Sequence, residues 1–317
     1  MKARGRDTAR LGPKRIVGHN PTIDYLRLLA ALPVVLLHAH APFGFLSTAS
    51  VGFFAMTMVW FLMLGLTSPS ASAGSLMCKR GRRLLYPFVI WGTLQAGGVM
   101  VDAVASNESV RGDLVDWLPP DGHFAQLWFL PWAACICALL IALFWKRDIR
   151  IRGTAAILLA LTATVVFSVA CLTISRVATI PPLLELFIQY LPSVGIGMLF
   201  VALRDDGMAL LACAAALVVV GLGLDAMGFA GTLQLTLATP LLAVALFVPM
   251  PVPKAAWAAR IAPLAMNVYL VHVLVLVLAK RLLDMPLDTL AGGIFVYLLS
   301  ICVALVIQDS FLNRWLK

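Results

Sequence analysis

Arg27 and His38 stand eleven residues apart inside one apolar stretch, Ile23-Asp-Tyr-Leu-Arg27-Leu-Leu-Ala-Ala-Leu-Pro-Val-Val-Leu-Leu-His38. An arginine in membrane-grade sequence costs roughly 2.5–3.5 kcal/mol at a helix centre on insertion scales. Eleven residues is close to three helical turns, so an ideal helix puts both groups on one face, about 16 Å apart along its axis. A fixed cation at one level and an imidazole at another suit a long anionic ligand lying along the helix. Asp24, three residues before Arg27, is spaced for an ion pair that lowers the cost of both charges. Snorkelling to the headgroups explains Arg27 about as well, and a hydrogen-bonded interior histidine explains His38. Pro33 lies between them and cannot bond to the carbonyl of Leu29, so a bend is expected.

A second cationic group, Lys79-Arg80-Gly81-Arg82-Arg83, precedes Leu-Leu-Tyr86-Pro87. Such a cluster commonly sets membrane orientation. Guanidinium groups also bind phosphate in bidentate fashion, so Arg82 and Arg83 together with Arg27 can form an anion site at one membrane surface. A phosphate-bearing ligand held there would have its reactive end near His38. Tyr269 and His272, at i and i+3 of a later apolar stretch, share a helix face and form a second polar wall at a similar depth. Trp128, in Gln126-Leu-Trp128-Phe-Leu-Pro131, reads first as part of an interfacial aromatic belt.

These residues need a bundle of membrane helices to hold them. The chain of 317 residues is 62% hydrophobic and 12% charged, with a mean hydropathy of +0.96. A soluble domain has nowhere to put that much apolar surface. Apolar runs of about 20 residues predict roughly ten transmembrane helices, at 23–43, 51–68, 84–105, 124–145, 154–174, 182–203, 208–225, 231–249, 259–279 and 290–309. The fold class is therefore an all-α integral membrane protein.

Basic residues divide sharply between alternate loops. Nineteen fall on the side of the N-terminal segment, including Lys2, Arg4, Arg6, Lys79, Arg147 and Arg204, against Arg111, Arg176, Lys280 and Arg281 on the other. The positive-inside rule then places both termini in the cytoplasm. That accounts for the net charge of +9 without nucleic-acid binding. The organisation expected is a basic N-terminal segment over 1–22, one transmembrane domain over 23–309 and a short tail over 310–317. No cleavable targeting segment is evident, because the first apolar run opens with Asp24 and Arg27. The six cysteines follow no metal or disulfide spacing, and no metal cluster, nucleotide loop or GxSxG motif is present.

Read in order, these blocks resemble the membrane-bound acyltransferase 3 family. Arg27 followed by His38 is similar to its Arg-x10-His signature. Arg82-Arg83-Leu-Leu-Tyr-Pro87-Phe-Val-Ile-Trp91 resembles its arginine-then-proline block in helix 3. Leu127-Trp128-Phe129-Leu130 and Tyr269-Leu-Val-His272 are similar to blocks of its sugar O-acetylase branch. Gly52 to Gly65 matches the helix 2 pattern only loosely, and Pro33 interrupts the signature helix.

The resemblance implies O-acylation, with acyl-CoA (acetyl-CoA foremost) as donor and no permanently bound cofactor. The acceptor it implies is a hydroxyl of an extracytoplasmic or lipid-linked saccharide, in exopolysaccharide modification at the bacterial inner membrane. It makes His38 the catalytic base and Arg27, Arg82 and Arg83 the acyl-CoA contacts. Asp24 would orient Arg27, while Trp128, Tyr269 and His272 would line the acceptor side. Membrane lipid and polysaccharide-assembly proteins are the further partners it implies. Many relatives carry a C-terminal SGNH domain; this sequence ends at Lys317 without one. The rivals are a transporter or flippase, with Arg27 and His38 on a substrate or proton path, and a scaffold subunit of an export complex.

Overall fold

The computed structural model describes residues 20–67, 72–106, 125–247, 255–283 and 286–309. The basic segment 1–19, the acidic residues Glu108, Asp113 and Asp116, and the tail 310–317 lie outside the described residues. Among the described residues eleven α-helices follow in chain order: α1 Pro21–His38, α2 Ser47–Leu66, α3 Ala73–Ser106, α4 Phe129–Phe144, α5 Thr154–Val177 and α6 Pro182–Gln189, then α7 Leu191–Ala202, α8 Gly207–Ala226, α9 Thr239–Phe247, α10 Ala255–Leu283 and α11 Leu290–Asp309. Among the described residues seven stretches are long and apolar enough to cross a membrane, and two shorter apolar helices, Phe129–Phe144 and Gln234–Phe247, accompany them. The chain is an all-α membrane protein, and each of the ten expected spans coincides with a helix or a pair of helices.

Three boundaries differ from expectation, and each has a local cause. The first span was expected to run to residue 43, but α1 stops at His38. Ala41 donates its backbone N–H to Leu36 O at 2.9 Å, and His40 donates to Leu37 O at 3.0 Å. His40 itself is left-handed, at φ 54°. This is the Schellman arrangement that ends helices, closed by the apolar contact of Ala41 with Leu36. The usual sequence signal is a glycine at the left-handed position, and here that position is a histidine.

The third span was expected from residue 84, with its cations ahead of the helix. Instead α3 opens at Ala73, where the Ser72 hydroxyl accepts the backbone N–H of Ser75 at 3.1 Å. Lys79, Arg80, Arg82 and Arg83 are therefore helical, and their facing is decided by the helix period. The span expected over 182–203 is two helices, broken at Tyr190 just before Pro192.

The core is centred on α2. Phe53, Met56, Leu62 and Leu66 are fully buried, with α1, α4, α7 and the turn before α9 packed around them. Close approach depends on missing side chains. A Cβ on Gly197 of α7 would stand 2.9 Å from Val59 Cβ, and one on Gly52 would stand 2.7 Å from Gln234 Cβ. Gln234 opens a single π-turn, Gln234–Ala238, ahead of α9. The Ser193 hydroxyl donates to its Oε1 at 2.6 Å, and its Nε2 donates to Gln189 O at 2.7 Å. A buried amide in a membrane bundle needs such partners. At one end of the bundle, Asp148, Arg150, Arg204 and Asp205 form an ion cluster between the α4–α5 and α7–α8 connections.

Candidate active site

α1 is anchored at its start and near its middle. Asn20 caps it, accepting the Thr22 N–H at 3.0 Å while donating across the bundle to Ala245 O at 2.8 Å. Further along, the Tyr297 hydroxyl of α11 donates to Leu28 O at 2.9 Å. The α1 backbone is thereby held against two other elements on either side of Arg27.

Arg27 and Asp24 lie on the wall of a cavity of about 250 Å³, enclosed by α1, α2, α3, α4 and α10. Asp24 is 4% exposed on its side chain and Arg27 18%, and the ion pair between them measures 3.9 Å. That distance is beyond hydrogen-bond range, so this contact is electrostatic. Arg27 Nε is buried with no hydrogen-bond partner among the described residues.

α3 adds two more guanidinium groups, Arg80 and Arg83. These are three residues apart and share a helix face. Arg82, expected in the site from its neighbourhood to Arg83, does not line the cavity and is exposed. It sits two residues from Arg80, about 200° around the helix. Arg80 takes the place expected of it, and the i, i+3 spacing of Arg80 and Arg83 was the signal that could have found it.

Beyond the cations the cavity becomes apolar. Phe54, Met58 and Phe61 of α2 form one wall and Phe129 of α4 another, while Ala262 and Ala265 of α10 leave room between them. Tyr269 closes the lining on α10. From it a series of rings leads out of the cavity. Tyr269 meets Phe129 edge-on at 6.3 Å and His272 at 6.1 Å, and His272 meets His38 at 5.1 Å. Trp128 packs on Phe129 at 5.9 Å and on Tyr190 at 5.3 Å, so it supports the ring series from behind.

The expected residues thus fall into two groups. Asp24, Arg27, Arg83 and Tyr269 share the cavity. His38 and His272 form an imidazole pair next to Tyr269, and neither lines the cavity. His38 is partly buried as the last residue of α1, whereas His272 is 1% exposed. On α3, Trp91 Nε1 and both amide atoms of Gln95 are buried without hydrogen-bond partners among the described residues. They extend the face of Arg80 and Arg83 outward by about three turns. Among the described residues no group of three or more His, Cys, Asp or Glu side chains could hold a metal ion.

Fold and site together define a polytopic membrane protein whose helices enclose a cavity that is cationic at one end and abuts a histidine pair at the other. A family model described as an acyltransferase domain matches residues 20–309. The chain belongs to this acyltransferase 3 family and is an acyltransferase. No curated protein and no solved structure matched it.

Proposed function

We propose that the protein transfers an acetyl group from acetyl-CoA to a hydroxyl of an extracytoplasmic or lipid-linked saccharide, in exopolysaccharide modification at the bacterial inner membrane. The observation that carries this reading is the cavity where Arg27, Arg80 and Arg83 converge, with Asp24 the one acidic residue on its lining among the described residues. A site with that excess of guanidinium suits the phosphates of a coenzyme. The positive-inside rule puts this end in the cytoplasm, where acyl-CoA is found. The apolar walls fit the uncharged arm of the donor, and the ring series toward His38 gives the thioester a direction.

His38 acts as general base. It removes the acceptor hydroxyl proton as the oxygen attacks the thioester carbonyl; a C–O bond forms, the C–S bond breaks, and the proton passes to the departing thiolate. Replacing His38 with Ala in a deletion strain should abolish O-acetylation of cell-surface glycans, read by mass spectrometry, with normal abundance of the protein in membranes. Full acetylation by His38→Ala would refute the base assignment. Glycan that disappears from the surface, rather than losing acetyl groups, would favour transport instead.

A further inference from the structure

We infer that His272 is a positioning residue whose Nε2 accepts the ring N–H of His38, holding that imidazole in the tautomer and orientation needed to take the acceptor proton. The inference rests on the acyl-transfer reading above. It gives His272 a role different from lining an acceptor wall.

The tautomer of His272 follows from its surroundings. Its Nδ1 lies 2.7 Å from the carbonyl oxygen of Tyr269. A carbonyl oxygen only accepts, so Nδ1 carries the proton and the neutral ring presents a bare lone pair at Nε2. That nitrogen is buried and has no hydrogen-bond partner among the described residues. An acceptor left alone in a membrane interior is costly, because no water is there to satisfy it. The neighbouring polar ring is that of His38, with centroids 5.1 Å apart and planes tilted by 44°. At this separation a rotation of the His38 ring brings one of its nitrogens within hydrogen-bond reach of Nε2.

The two helices are also built to keep the rings together. α1 packs along α10, and His38 is fixed at the Schellman end of α1. His272 lies one turn beyond Tyr269, on the α10 face that lines the cavity. When His38 donates to Nε2, its other nitrogen is unprotonated and available to the acceptor hydroxyl. As His38 takes up that proton, His272 bears part of the developing positive charge. The proton then goes to the thiolate as the C–S bond breaks, and His272 ends the cycle as it began.

The test uses membrane vesicles from the cells that make this protein, which contain its own acceptor, supplied with radiolabelled acetyl-CoA. Label entering glycan gives kcat and the KM for acetyl-CoA. His272→Ala and His272→Asn should lower kcat about 100-fold with KM unchanged. His272→Gln sets an amide oxygen near the Nε2 position and should restore most of the rate. Wild-type kcat in His272→Ala, alongside an inactive His38→Ala, would overturn the pairing while leaving the base assignment standing. Equal loss in the Ala, Asn and Gln variants with a raised KM and reduced membrane abundance would show a purely structural histidine, and also overturn it. Label incorporation by His38→Ala at the wild-type rate would instead remove the acyl-transfer reading of His38, and the pairing with it.

Discussion

Arg80 and Arg82 are two residues apart, identical in type and equal in their contribution to membrane orientation, yet only Arg80 lines the cavity. Truncating each in turn therefore separates ligand binding from topology. A charge-assisted hydrogen bond to phosphate is worth about 1.5–3 kcal/mol, and at 1.36 kcal/mol per decade that is about 10- to 150-fold in affinity. Arg80→Ala should weaken coenzyme A binding to the purified protein by that factor, with kcat unchanged at saturating acetyl-CoA, as for an interaction made equally in ground and transition states. Arg82→Ala leaves the cavity intact; its exposed charge acts through solvent and salt, for an effect below about two-fold at physiological ionic strength. A second sign check uses the ligand-free protein. Arg27, Arg80 and Arg83 repel one another, so Arg80→Ala should leave thermal stability without ligand unchanged or higher while lowering the stabilisation by added coenzyme A. Titration calorimetry and thermal unfolding in detergent read both quantities. Arg82→Ala weakening coenzyme A as much as Arg80→Ala would refute the facing argument and the phosphate assignment built on it.

Other outcomes follow from the packing. Gly52→Val should destabilise the bundle by about 3 kcal/mol or more, because its Cβ meets Gln234 Cβ at 2.7 Å and Ser193 Oγ at 3.0 Å. Gly223→Ala, where a Cβ meets nothing within 4 Å, should be neutral in the same melting assay. Tyr297→Phe removes the hydroxyl that binds Leu28 O and should cost about 0.6–1.5 kcal/mol; an unchanged melting temperature would show that this bond does not hold α1. Asp148 lies between helices, where desolvation is the largest single influence and raises its pKa, but the hydrogen bond and charge of Arg204 with the backbone N–H and charge of Arg150 together outweigh it, leaving it below the ordinary 3.8. A depressed folded pKa means that the cluster stabilises the protein above about pH 4 and is lost as pH falls through the folded value. The acid limb of thermal stability between about pH 6 and pH 3 should therefore be shallower in Asp148→Asn than in wild type.

The apolar runs, the skewed arginines and lysines, and the buried Arg27 and His38 were all legible in the chain, because each reports an interaction of a residue with the membrane or with near neighbours in sequence. A run of twenty apolar residues has few alternatives to a spanning helix, so helix existence and class followed from composition and length. Asp24 and Arg27 were likewise local, one turn apart. What depended on distant contacts was not legible. Arg82 was expected in the site from its place in the cationic cluster, and only the helical register of Ala73–Ser106 turns Arg80 toward the cavity. The end of α1 at His38 needed a left-handed His40, a conformation that sequence ordinarily assigns to glycine. The meeting of His38 with His272 joins residues 234 positions apart, and the helix period of either segment carries no information about the other. Sequence alone settled that the chain crosses the membrane repeatedly and carries a cation and an imidazole inside it. Tertiary structure decided which guanidinium groups share a cavity and which second ring stands beside His38, because those distances are set by how helices pack and not by how each is written.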